Sequence, residues 1–168
     1  MMSVDKTGFT LIEMIVVVCL FALVATLGIT QLSFLDATLA HAELDKFANV
    51  CSYMQQHAIA SNTEMVLTCD TAQNKYYGDN VRESLTSPIM FGAMSGVRGS
   101  PGSPSHVIEK AVTFPRCQIH FYPTGIISSG TVYLTDKKKQ YMYALSNAVS
   151  QVSYLRFYRY DGKWKLLP

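Results

Sequence analysis

From Met14 to Leu35 the chain runs 22 residues without a charged side chain, and one carboxylate, Glu13, stands at the head of that run. At about 1.5 Å of rise per residue, a helix of this length crosses a hydrocarbon core of roughly 30 Å. Helix is the expected state, because lipid offers no partner to open backbone groups. Glu13 then sits where a charge costs about 2.5 to 3.5 kcal/mol on insertion scales, so a carboxylate there is expected to be functional.

If the chain is cut after Gly8, Phe9 gains a free amine and Glu13 lies four residues on, one turn away on the same helix face. Such an amine and carboxylate neutralise each other within one chain or between neighbours. A secretory signal would show a basic n-region, an apolar core of about 7 to 15 residues and a small-x-small cleavage site. Here the first eight residues carry only Asp5 and Lys6 as charges, and the apolar run is too long.

The string Gly8-Phe9-Thr10-Leu11-Ile12-Glu13 resembles the class III signal of type IV prepilins and pseudopilins. That resemblance implies a membrane aspartyl peptidase that cuts after Gly8 and methylates Phe9, with Glu13 as the assembly carboxylate. Residues 1–8 are then a leader, 9–35 the transmembrane half of a helix, 36–61 its periplasmic amphipathic half, and 62–168 a β-rich globular domain. The expected topology is a single pass of the bacterial inner membrane, with a cytoplasmic N-terminus and a periplasmic domain.

The helix is expected to continue past the apolar run. Between Asp36 and Ser61 there is no Pro or Gly. Leu39, Ala42, Phe47, Val50, Met54, His57 and Ala58 recur near the 3.6 period, with Glu43, Asp45 and Lys46 between them. A helix from Phe9 to Ser61 would be about 80 Å long, with Gly28, near Thr26, Thr30 and Gln31, as a weak point and Asn62 as its stop. Without the anchor about 130 of the 168 residues remain, enough for one core.

Strand signals follow at Glu64–Cys69, Asn74–Tyr77, Ala111–Phe114, Gln118–Tyr122, Thr131–Thr135, Tyr141–Leu145, Ser153–Tyr158 and Trp164–Leu167. Turn residues separate them at Pro123-Thr124-Gly125, Ser129-Gly130, Asp136 to Lys139 and Asp161-Gly162. Alternation of Val132 and Leu134 with Tyr133 and Thr135 predicts one buried and one wetter face. Ser95 to Ser105 holds three Gly, four Ser and two Pro in eleven residues, the composition of a mobile loop. The expected fold class is α+β: a long N-terminal helix packed on a small antiparallel β-sandwich.

The run Ile119 to Leu134, a strand, a glycine turn, Ser129-Gly130 and a second strand, resembles the domain of GspH-type minor pseudopilins of type II secretion systems and of FimT-type minor pilins. Ala58 to Asn62 followed by Val66 to Cys69 resembles that family's helix end and first strand. The resemblance implies a subunit at or near the tip of a periplasmic pseudopilus or pilus, with no chemistry of its own. Its implied partners are other pilins or pseudopilins, the prepilin peptidase, the inner-membrane assembly platform, and lipid before assembly.

Charge is uneven along the chain. Residues 136–168 hold 7 Lys or Arg against 2 Asp, a balance of +5, while residues 1–135 hold 7 against 10, a balance of −3. Lys137, Lys138, Lys139, Arg156, Arg159, Lys163 and Lys165 are interleaved with aromatic residues, a composition that suits DNA as well as a wet strand face. FimT-type proteins that bind DNA carry a glycine-arginine element, and Ser146 to Gln151 lacks it. DNA capture is therefore the second reading, behind a fibre role.

Of four cysteines, Cys19 lies in the apolar run. Cys51, Cys69 and Cys117 would face an oxidising compartment, and Cys69 with Cys117 is the expected bridge, since both fall in predicted strands while Cys51 is helical. His41, His57, His106 and His120 form no metal-ligand spacing with the cysteines. No metal and no cofactor are expected. No nucleophile, base and orienting group recur at an interpretable spacing and there is no phosphate loop, so no enzyme is expected.

Overall fold

The computed structural model describes residues 10–101, 103–147 and 154–167, with side chains at 27–36, 100, 103 and 104 left aside. The chain divides into two compact units, 1–35 and Asp36–Pro168. One helix, α1 (Leu11–Ser61), has residues in both. Its backbone is helical through Gly28, whose expected weakness lies outside the described side chains.

In the second unit α1 buries Ala40, Leu44, Phe47, Cys51, Met54 and Ala58, which alternate four and three apart and so line one face. The buried stripe differs from the expected one. Ala42 is exposed and His57 half-exposed, whereas Glu43, expected on the wet side, is buried at 5% exposure. The helix ends as expected at Asn62, which takes the left-handed conformation (φ 51°). Thr63 N–H donates to Ala58 O and Asn62 N–H to Ile59 O, both at 3.3 Å, the paired bonds of a Schellman cap.

Among the described residues eleven strands follow, all paired antiparallel: β1 (Met65–Asp70), β2 (Lys75–Gly78), β3 (Val81–Ser84), β4 (Ile89–Phe91), β5 (Arg98–Ser100), β6 (Ser103–Val107), β7 (Gln118–Phe121), β8 (Gly130–Asp136), β9 (Met142–Asn147), β10 (Arg156–Tyr160) and β11 (Trp164–Leu166). One sheet has the order β3-β2-β1-β7, the second β11-β10-β9-β8-β4, and β5 pairs with β6 as a separate hairpin. The protein is thus an α+β fold with a helix packed on antiparallel sheets.

A single apolar cluster joins the buried face of α1 to both sheets. It takes Leu67, Tyr76, Ile119 and Phe121 from the first sheet and Phe91, Val132, Leu134 and Leu145 from the second. Phe47 meets Tyr76 edge-on at 4.9 Å between ring centroids, and Phe91 at 6.1 Å. At the rim, Lys46 Nζ reaches Glu83 Oε2 at 2.6 Å and Gln55 Nε2 donates to Gly125 O at 2.6 Å, tying helix to sheet and turn.

Three expectations are corrected here. The face of β8 and β9 expected to be wet is buried: Tyr133 is 1% exposed and forms a second cluster with Met142, Ala144 and Val97. Val97, from the segment read as a mobile loop (Ser95 to Ser105), packs there together with Ala93, Met94, Ile108, Tyr160 and Trp164, and that segment holds β5 and the start of β6. Small and polar residues gave no apolar alternation there, yet ladder bonds need only backbone groups. Ala111–Phe114 is reduced to a single bridge, Val112 opposite Val132, before Pro115 opens a tight turn. Of Ser153–Tyr158, residue 153 lies outside the described residues and the strand begins at Arg156.

Candidate assembly site

Gly8 and Phe9, the expected cleavage and methylation positions, lie outside the described residues. The description begins at Thr10, and there the geometry is specific. Glu13 N–H donates to Thr10 Oγ1 at 3.4 Å, while Thr10 N–H and Thr10 Oγ1 both donate to Glu13 Oε2 at 2.9 Å. Thr10 is the N-cap and Glu13 the third helical residue, a reciprocal capping box. The role of Thr10 was not among the expectations; its signal is the T-x-x-E spacing.

A carboxylate at this place meets the positive end of the helix dipole and helps satisfy amide groups that have no partner within the helix. Both bonds go to Oε2, which leaves Oε1 for a donor from elsewhere.

Beyond the box, apolar side chains face outward all round the helix. Leu11, Ile12, Met14, Ile15, Val16, Val18, Leu20, Phe21, Leu23 and Val24 are all exposed. Thr26 returns its hydroxyl to Leu23 O at 2.8 Å, so its polar group is satisfied by the helix itself. A helix that is apolar on every side needs lipid or other protein around it. Among the described residues no helix is long and apolar enough to cross a membrane; the described side chains of this arm stop at Thr26, inside the expected span.

Residues 5–29 match the family model described as the prokaryotic N-terminal methylation motif. This chain carries a pilin-type signal. The motif supports a type IV pilin-like protein, a structural subunit processed by a prepilin peptidase. No curated protein and no solved structure matches the chain.

The other expected site residues are dispersed over the second sheet. Lys137, Lys138 and Lys139 lie in the turn between β8 and β9, Arg156 and Arg159 on β10, Lys163 in the following turn and Lys165 on β11. The register places Tyr160 beside Met142, and Met142 beside Thr135, so the two turns share one end of the sheet while Arg156, opposite Ser146, lies at the other. Several cations are already engaged. Lys165 Nζ reaches Asp161 at 2.7 Å, Arg156 donates to Tyr154 Oη at 2.7 Å and Lys137 to Ser87 at 3.2 Å.

All four cysteines carry free thiols, so the expected Cys69–Cys117 bridge is not present in this structure. The ladder from Met65↔Phe121 to Thr68↔Gln118 ends just before the two. There Cys117 leaves strand geometry, with φ 57°. Burial pushes the Cys69 thiol up to about 12, with the neighbouring Cys117 adding to the effect. Among the described residues no group of His, Cys, Asp or Glu could hold a metal ion.

Proposed function

We propose that the chain is a minor pseudopilin or minor pilin that, after removal of residues 1–8, helps initiate or cap a periplasmic fibre, most simply the pseudopilus of a type II secretion system. The observation that carries this reading is the conjunction of the methylation motif with an apolar helical arm whose one charge is Glu13. Before assembly the arm spans the inner membrane, with the N-terminus cytoplasmic and the second unit periplasmic. In the fibre it packs among the arms of neighbouring subunits.

In that setting cleavage after Gly8 creates an amine on Phe9, close in sequence to the capping box. Glu13 Oε2 is held by Thr10, and Oε1 accepts from the amine of the adjacent subunit. Methylation leaves that amine cationic, so the pair forms in a low-dielectric core where either charge alone is costly.

The test is intact mass and N-terminal peptide mapping after expression with and without a prepilin peptidase, for the wild type and Gly8→Val. Loss of residues 1–8 and a methyl group on Phe9, both dependent on the peptidase and on Gly8, is expected. An uncut chain in the presence of an active peptidase would overturn the reading.

A further inference from the structure

Where β10 turns into β11, the β5 hairpin approaches and forms an open cleft of about 300 Å³ lined by Arg98, Gly99, Tyr160, Lys163 and Trp164 among others. Trp164 is fixed on its wall: the indole N–H donates to Gly99 O, and the ring meets Tyr160 at 5.2 Å and 61°. Arg98 and Lys163 have no acidic partner among the described residues, and the nearby Asp161 is engaged by Lys165. The cleft is therefore a rigid aromatic wall with two unneutralised cations at its mouth.

Beside it runs an open edge. Among the described residues β11 is the last strand of its sheet, paired on one side only with β10. Asp161 N–H donates to Lys163 O at 3.1 Å and Leu167 N–H to Phe157 O at 2.8 Å. Antiparallel pairing alternates, so the N–H and C=O groups of Trp164 and Leu166 point away from β10 toward the vacant side. The side chain of Leu166 is 63% exposed.

We propose that this edge and the adjoining cleft dock an extended, acidic segment of a partner protein, added to the sheet as a further strand. Backbone pairing with β11 supplies affinity, and the cleft selects carboxylates through Arg98 and Lys163, with the half-buried Trp164 ring as its apolar wall. The chemistry favours peptide over nucleic acid. The outward N–H and C=O groups match a peptide backbone, and Tyr160 packs against Trp164 at an angle rather than leaving two parallel faces for a base. The balance of +5 over residues 136–168 favours an acidic partner. The proposal stands independently of the fibre role.

The experiment selects a displayed library of random short peptides against the detergent-solubilised full chain. The selected pool is expected to be rich in Asp and Glu alternating with β-branched residues. Its best member is expected to bind about tenfold more weakly to the Arg98→Ala/Lys163→Ala double variant, whose melting temperature stays at that of the wild type. N-methylation of alternate backbone amides in that peptide is expected to abolish binding with the protein untouched. A pool without acidic bias, equal binding to the double variant, or tolerance of N-methylation would each overturn the proposal. So would oligothymidylate binding that is tighter than that of any selected peptide and is lost in the same variant.

Discussion

Removing the Glu13 carboxylate takes away two things at once: the acceptor of the Thr10 capping box and the proposed partner of a neighbour's amine. The two separate experimentally. Thr10→Ala removes the cap alone, at a local cost of about 1 kcal/mol, and should leave fibre incorporation largely intact. Glu13→Ala removes the counter-charge as well, so insertion into the membrane should be retained and incorporation lost, as read by fractionation and fibre pull-down. Incorporation of Glu13→Ala at the wild-type level would remove the assembly role. Glu13 stood out in the sequence because a lone charge in an apolar run is conspicuous; its capping partner Thr10 did not, because a threonine there looks like any small residue. Asp136 was equally hidden, read as one residue of a lysine-rich turn. It is 1% exposed, and its carboxylate accepts from the backbone N–H groups of Lys138 (3.0 Å), Gln140 (2.7 Å) and Tyr141 (2.9 Å). Asp136→Ala would leave these donors without the acceptor that shapes the turn, and about 2 to 3 kcal/mol of stability should disappear in urea unfolding.

At the scale of elements, the strands that the sequence made visible are those bounded by turn residues and bearing apolar alternation, such as β1, β7, β8 and β9. Strands β3 and β4 and the β5–β6 hairpin escaped because their pairing is imposed by neighbours. Val81–Ser84 contains no apolar stripe, and it is a strand because β2 offers it a ladder. The consequence reached the packing: without Val97 and the residues that flank the hairpin, Met94 and Ile108, the outer face of β8 and β9 reads as wet. The helix stop, by contrast, was legible from Asn62 alone, and its conformation yields a prediction. At φ 51° a β-branched residue is strained and glycine is at ease. Asn62→Val should lower stability by about 1 kcal/mol or more, while Asn62→Gly should be near neutral, with circular dichroism melts as the readout. Equal melting temperatures for the two would mean that the cap contributes nothing.

For the molecule as a whole, the division between 1–35 and Asp36–Pro168 separates a part that needs an apolar environment from a part with its own core. A fragment comprising Asp36–Pro168 should therefore fold in water without detergent, and its pH dependence is set by groups inside that core. Burial pushes Cys69 from its usual 9.0 up to about 12, holds Cys51 well above its usual value, and raises the Tyr76 phenol likewise. In the folded domain these groups keep their protons to higher pH than in the unfolded chain. Above about pH 9 the unfolded state thus binds fewer protons than the folded one, and stability falls as pH rises. The Lys46 ammonium, raised chiefly by its hydrogen bond to Glu83, acts in the same direction at higher pH, although its exposure keeps the effect small. Melting temperature under reducing conditions should be flat from neutral pH to about 9 and decline beyond it. Cys69→Ala should flatten that decline between 9.0 and about 12. Tyr76→Phe should flatten it at the upper end, and at neutral pH should be neutral or slightly stabilising, because the buried Tyr76 hydroxyl has no hydrogen-bond partner among the described residues. A decline of unchanged slope in both variants would show that neither Cys69 nor Tyr76 sets the alkaline sensitivity.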